Sequence, residues 1–193
     1  MLTKQAKVLT KAQRETLMTF IASTRAPERN QVILLLSFKA GLRAKEIASL
    51  TWAMMTDAEG NLTNTINLTN SASKGKTGGS IPMAKELRHA LSQWRSVTAN
   101  PGSLNHVINT ERSVSTSAQV IVNLFSDWYQ RLGFDGCSSH SGRRTFITHA
   151  ARNIGRFGGS LRDVQTLARH SSLAMTQRYI EQNTDAMRRV VDS

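Results

Sequence analysis

Between Pro27 and Gly41 the chain carries Val32-Ile33-Leu34-Leu35-Leu36, an unbroken run of large apolar side chains. At about 3.6 residues per turn, such a run points to every side of a helix, so no face is left for water. A helix of this kind must be wrapped by other elements. It predicts a central core helix that opens at Pro27-Glu28 and ends at Gly41, where a left-handed residue is wanted.

The surrounding segments supply the wrapping. Thr10-Lys11-Ala12-Gln13 is a capping-box start, followed by Leu17, Phe20 and Ile21 on one face. Arg43 to Leu50 reads as a short helix with Ile47 and Leu50 inward. From Asn61 to Met83 the pattern changes: Leu62, Ile66 and Leu68 sit among Thr and Asn, and Lys74-Gly75-Lys76-Thr77-Gly78-Gly79 turns the chain before Ile81-Pro82. That is a small β-hairpin or meander with a basic, glycine-rich tip. Helices are expected over 84–97, 116–132 and 141–153, a loop over Gly155 to Gly159, then helices from the capping box Ser160-Leu161-Arg162-Asp163 to about Arg169, over 172–181 and over 184–191. The fold class is therefore mainly α with a small antiparallel β-sheet. Residues 1–9 are polar and expected to be a flexible segment, and 10–193 form one domain.

The charge points to a polyanion. Lys and Arg number 25 against 13 Asp and Glu, a formal charge of +12, with a sequence pI of about 10.9. Residues 131–193 hold ten Arg, no Lys and five acids. Guanidinium forks match phosphate geometry better than a lysine ammonium does; the plainer account is helix-surface arginines paired with Asp163, Glu181 and Asp185. Cys137 is the single cysteine, so neither an intrachain disulfide nor a cysteine zinc cluster is available, and it is expected to be a small buried side chain. No apolar run approaches the ~18 residues of a membrane span, and the start lacks a signal-peptide core, so a cytoplasmic protein without a membrane partner is expected.

Against this background one ordered set of residues carries chemistry: Gly41-Leu42-Arg43-Ala44-Lys45-Glu46, then His140-Ser141-Gly142-Arg143, then Arg169-His170, then Tyr179. Two guanidiniums can neutralise a crowded phosphorane. Two imidazoles can hydrogen-bond it or move protons, and a phenol can form a covalent phosphate ester. Each box alone has an ordinary explanation. Arg43-x-x-Glu46 is a common helix ion pair, His170 could cap a helix end, and Tyr179 could be a packing residue.

Taken together the boxes resemble the catalytic domain of the tyrosine recombinases, the phage integrase family, from about residue 10 to the end. The segment from Gly41 to Trp52 is similar to the family's first arginine box, with Arg43 as catalytic arginine and Glu46 as supporting acid. The hairpin tip resembles the lysine turn, His140-Ser141-Gly142-Arg143 the His-x-x-Arg box, and Val164 to Ser172 the stretch bearing the second histidine. Tyr179 falls at the nucleophile position. Arg144 stands where the family often has His, and Arg169 where glycine usually ends a helix. An arginine there implies backbone strain or a different helix end.

The resemblance implies a site-specific recombinase acting on double-stranded DNA through a 3′-phosphotyrosyl intermediate. Its catalytic set would be Arg43, Lys74, His140, Arg143, His170 and Tyr179, with Lys76, Arg144, Arg169 and Ser171 as DNA contacts. Lys74 and Lys76 both remain candidates for the hairpin lysine. No cofactor and no metal are implied, and a homo-oligomer on DNA, dimer to tetramer, is. The apolar tail residues Ala186, Met187, Val190 and Val191 would pack on their own domain or on the next protomer. Family members usually carry a further N-terminal helical domain. Its absence before Thr10 suggests either an excised fragment or a single-domain form, prokaryotic or borne on a phage or plasmid. Two rivals share the fold: a catalytically silent DNA-binding regulator, and a relaxing enzyme of the type IB topoisomerase kind.

Overall fold

The apolar run lies where its pattern requires. In the computed structural model, helix α2 (Pro27–Lys39) buries every residue from Val32 to Phe38. Each such aliphatic side chain contributes roughly 1.5–3 kcal/mol when removed from water, so this one helix anchors the core. The structure describes residues 5–73, 78–98, 102, 105–110, 113–180 and 191. The chain divides into two compact units, Met1–Phe146 and Ile147–Ser193.

In the first unit α2 packs against α1 (Lys11–Ala22), α3 (Ala44–Ala48) and α4 (Lys85–Val97), and α3 packs against α5 (Ala118–Arg131). The capping box at Thr10 is present: its side chain accepts from the Gln13 N–H, while Gln13 accepts from the Thr10 N–H. Strands β1 (Thr65–Leu68) and β2 (Gly79–Pro82) pair antiparallel, with Ile66 opposite Ile81 and both side chains buried. The hairpin is as expected, but its tip at 74–77, with both candidate lysines, lies outside the described residues.

Several details differ from the sequence reading. Ahead of α1, the Lys7 N–H donates to the Gly136 carbonyl, and Leu9 is buried with its N–H on Thr145 Oγ1 at 3.0 Å. The 105–108 segment, for which periodicity gave no element, runs beside 50–52. Val107 N–H donates to Leu50 O, Trp52 N–H donates to Asn105 O, and Val107 and Ile108 are fully buried. Cys137 is half-buried and unbridged, not an interior residue.

Helix α6 (Ser141–Asn153) starts in the first unit. In the second unit a 3-10 turn (Ile154–Phe157) occupies most of the expected loop and closes on Gly158 in the left-handed region. Helix α7 (Leu161–Ala168) follows, then α8 (Leu173–Gln177), and the two pack together. The α7 start is capped as expected: Asp163 accepts from the Ser160 N–H at 2.7 Å and from its hydroxyl at 2.8 Å. These bonds favour the ionised carboxyl and hold Asp163 below its ordinary pKa. Helix α8 stops short of the expected 181, and the last expected helix falls outside the described residues apart from Val191.

Candidate active site

In the first unit the two arginine boxes meet at Gly41. This residue ends α2 with φ +63, a conformation that costs glycine little and other residues more. A Cβ there would also lie 2.5 Å from the Phe146 ring. The turn directs the Gly41 carbonyl to Arg143, whose Nη1 donates to it at 2.6 Å across 102 residues of sequence. Arg143 is only 5% exposed, so this bond fixes one edge of the guanidinium.

Two residues beyond Gly41, Arg43 caps the start of α3 with an extended backbone. Glu46 holds it twice: one carboxylate oxygen accepts the Arg43 N–H at 2.8 Å, and the other accepts Arg43 Nη1 at 2.9 Å. Glu46 is fully buried, while the Arg43 side chain keeps 20% of its surface open. A buried carboxylate with both oxygens engaged is a positioning device, as its fixed charge and two bonds leave Arg43 few alternative rotamers.

His140 is exposed immediately before α6, one turn ahead of Arg143. Its carbonyl accepts the Arg144 N–H at 2.9 Å. Gly142, between them, allows α6 to approach α2, because a Cβ at that position would meet Ser37 Oγ at 2.1 Å. The Arg144 guanidinium donates to Gln5 Oε1.

The second unit carries the remaining members. Helix α7 ends on Arg169 at φ 52, ψ 46, the sole non-glycine residue with positive φ among those described. The strain expected from arginine in a glycine position is therefore real. Arg169 is buried, and the turn it makes is closed by a reciprocal pair: His170 N–H donates to Gln165 O, and Gln165 Nε2 donates to His170 O. The His170 ring stacks on the Tyr179 ring, centroids 5.5 Å apart and planes inclined by 27°. Its Nδ1 lies 2.9 Å from Thr176 Oγ1, with His170 7% exposed and Thr176 wholly buried. Tyr179 is half-buried. Ser171 is exposed, its hydroxyl on the Met175 sulfur.

Sequence reasoning passed over two partners, the Gly41 carbonyl and Thr176. Gly41 stood out only as a helix terminator. Thr176 gave no signal, since the helix containing it was expected but not the turn that brings it back to His170. Among the described residues no group of three His, Cys, Asp or Glu is placed to hold a metal ion.

Comparison with known proteins places the chain in a family. The sequence model of the phage integrase family matches residues 7–186. Tyrosine recombinase XerC of Brucella melitensis is 27% identical over 166 residues, covering 85% of this chain and 50% of that protein. Tyrosine recombinase XerD of Haemophilus influenzae is 26% identical over 168 residues, covering 84% and 53%. The chain thus spans about half the length of these curated relatives. Among solved structures, the Tn1549 transposon integrase in complex with circular intermediate DNA has a TM-score of 0.77 at 21% identity, covering all of this chain and 67% of that one. XerA recombinase has a TM-score of 0.71 at 24% identity, covering 95% and 63%. At such identities the structural likeness establishes the fold.

Proposed function

The chain belongs to the phage integrase family, and from that premise we propose that it is a site-specific DNA recombinase that breaks and rejoins strands through a 3′-phosphotyrosyl bond. The observation that carries this reading is the Gly41 turn. It ties Arg143 by a carbonyl and precedes an Arg43 clamped by buried Glu46, giving two restrained guanidiniums from boxes far apart in sequence.

In this scheme the Tyr179 oxygen attacks a DNA phosphorus, forming a P–O bond to the phenol as the bond to the 5′ oxygen breaks. Arg43 and Arg143 stabilise the non-bridging oxygens, whose charge grows in the transition state; losing one such preorganised donor commonly costs roughly 10²–10³ in rate. His140 accepts the phenol proton or donates to the phosphate, and His170 is the second donor. A lysine of the hairpin tip, Lys74 or Lys76, protonates the departing 5′ oxygen. The phosphoester is conserved, so a 5′-hydroxyl of another strand reverses the step without a nucleotide cofactor. The guanidiniums supply the charge stabilisation that a metal ion gives in other phosphoryl transfers. Lys76, Arg144 and Ser171 are assigned to the DNA backbone, and two to four protomers to one synapse; Arg169, expected beside them, is buried in this structure and is not assigned there.

The test is incubation with a library of nicked duplexes of randomised sequence in EDTA, followed by denaturing electrophoresis and sequencing of protein-linked DNA. A Tyr179-dependent adduct on a recurrent sequence, with strand exchange between two selected duplexes, is expected. Relaxation of a supercoiled circle without exchange would indicate a topoisomerase instead, and tight binding without an adduct a silent regulator.

A further inference from the structure

We propose that one face of α4 is a second phosphate-binding surface, a groove that holds the backbone of a DNA strand outside the catalytic boxes; that the polyanion is DNA rests on the recombinase reading above. Helix α4 buries Leu87, Ala90 and Leu91 in the first unit. Lys85, Arg88, Ser92 and Arg95 recur at steps of three and four residues, so they form a stripe along another face. With His89 beside them they line a groove of about 610 Å³, walled on its other side by the loop that precedes β1. Among the described residues no acid lines it, and Glu86, the acid of α4, pairs with Lys39 at 2.9 Å.

Both arginines of the groove are held in place. Arg88 Nε and Nη2 donate to the Leu62 carbonyl at 3.3 and 2.8 Å, and Arg95 Nη1 donates to the Gly60 carbonyl. The Arg95 guanidinium also lies over the Trp52 ring, 5.4 Å from its centroid. Stapling the loop to the helix is the plain account of these bonds. It gives no role to Lys85, and it uses few of the N–H groups that two guanidinium forks carry. Arg143 is fixed by a backbone carbonyl in the same manner. A fork restrained in this way has little rotamer freedom left to lose when an anion arrives.

The shape of the stripe selects among anions. From Lys85 to Arg95 the helix rises about 15 Å, a length over which one strand of B-DNA carries about four phosphates. A small anion would meet one or two of these cations, whereas a backbone meets them all. The groove lies at the open end of the hairpin, where the Met83 N–H donates to the Asn64 carbonyl, and not at the 74–77 tip. Its contacts therefore add to those assigned to the tip lysines.

Binding of the full chain to a duplex of random sequence, followed across a salt series, tests the groove. Each phosphate contact contributes about 0.9 to the slope of log K against log salt. Lys85→Gln is expected to lower that slope by about 1, and Lys85→Gln/Arg88→Gln by about 2. Glutamine at 88 keeps an amide N–H for the Leu62 carbonyl; Lys85→Gln leaves both staples intact and decides alone should the double variant unfold. Lys11→Gln, an equal loss of charge at an exposed α1 position, is expected to leave the slope unchanged. Wild-type slopes in the groove variants overturn the proposal, and so does an equal drop in Lys11→Gln, which would reduce the effect to net charge. Inorganic phosphate that saturates the amide signals of Gly60 to Leu62 as readily as duplex does, per phosphate, would make this a free-anion site and also overturn it. A chain whose slope falls as expected but which never forms a Tyr179 adduct keeps the groove and loses the recombinase reading; an adduct with unchanged slopes does the reverse.

Discussion

Arg169 shows how one side chain can break a local rule visibly. The family's glycine position was legible in the sequence as a departure, and the structure gives its form, an arginine in the left-handed region with its side chain buried. A left-handed residue with a Cβ costs roughly 1–2 kcal/mol. Comparing two truncations isolates that cost: Arg169→Gly is expected to exceed Arg169→Ala in stability by about 1 kcal/mol in urea denaturation, as neither keeps the guanidinium and only alanine keeps the strain. Equal stabilities would mean the backbone is not strained. Tyr129 did not stand out in the sequence. It is 2% exposed, stacked at 5.9 Å on Phe125, and its hydroxyl is buried without a hydrogen-bond partner. Burial, aided by the charge of Cys137, raises its pKa far above the ordinary phenol value. The unfolded chain ionises this phenol near pH ~10 while the folded chain does not. Its contribution is thus full below that pH and lost as pH rises through the window above it. Tyr129→Phe is expected to be neutral or stabilising by up to about 1 kcal/mol at pH 7, and to unfold at higher pH than wild type in an alkaline titration. A variant that unfolds at lower pH would contradict this.

At the scale of elements, helix starts were the most legible features, because caps are local chemistry. Thr10, Pro27 and Ser160 each mark a start within a residue of where it lies. What sequence did not reveal is pairing at a distance: the 105–108 segment beside 50–52, and the close passage of α6 over α2. Both depend on partners tens of residues away and leave no periodicity. The α6–α2 passage is testable through Gly142. Gly142→Ala would set a methyl against Ser37 Oγ at 2.1 Å, and is expected to destabilise by roughly 1–3 kcal/mol despite alanine's better helix propensity. A gain in thermal stability would deny the close contact. The α7 cap has its own pH signature. Since Asp163 is held below its usual pKa, its contribution is present above the unfolded carboxylate pKa and fades as pH falls through the lowered folded value. Asp163→Asn should abolish that acid-side loss at the α7 amides in hydrogen exchange, and an identical acid profile would exclude the cap as its source.

For the whole molecule, the +12 charge and the ordered boxes were legible, and together they carry the proposal of a DNA partner further than any single residue does. The candidate site was readable from sequence as a set of proposed residues and not as an arrangement. Nothing in the spacing indicated that Gly41 would hold Arg143, that Glu46 would be sealed under Arg43, or that Thr176 would hold His170. Those are products of tertiary contact. Charge neutralisation of DNA releases counterions, so a contact set of ~6–10 phosphates should lose roughly 10³–10⁵ in affinity between about 50 and 200 mM salt. Binding that barely changes over that range would argue against a backbone-dominated interface. The central claim is more specific: one phenol in this chain becomes esterified to DNA. Protein trapped on selected duplexes in EDTA, digested with nuclease and protease, should yield a peptide bearing a nucleotide remnant on Tyr179, and Tyr179→Phe should yield none. A remnant on any other residue, or an undiminished adduct in the phenylalanine variant, would contradict the account.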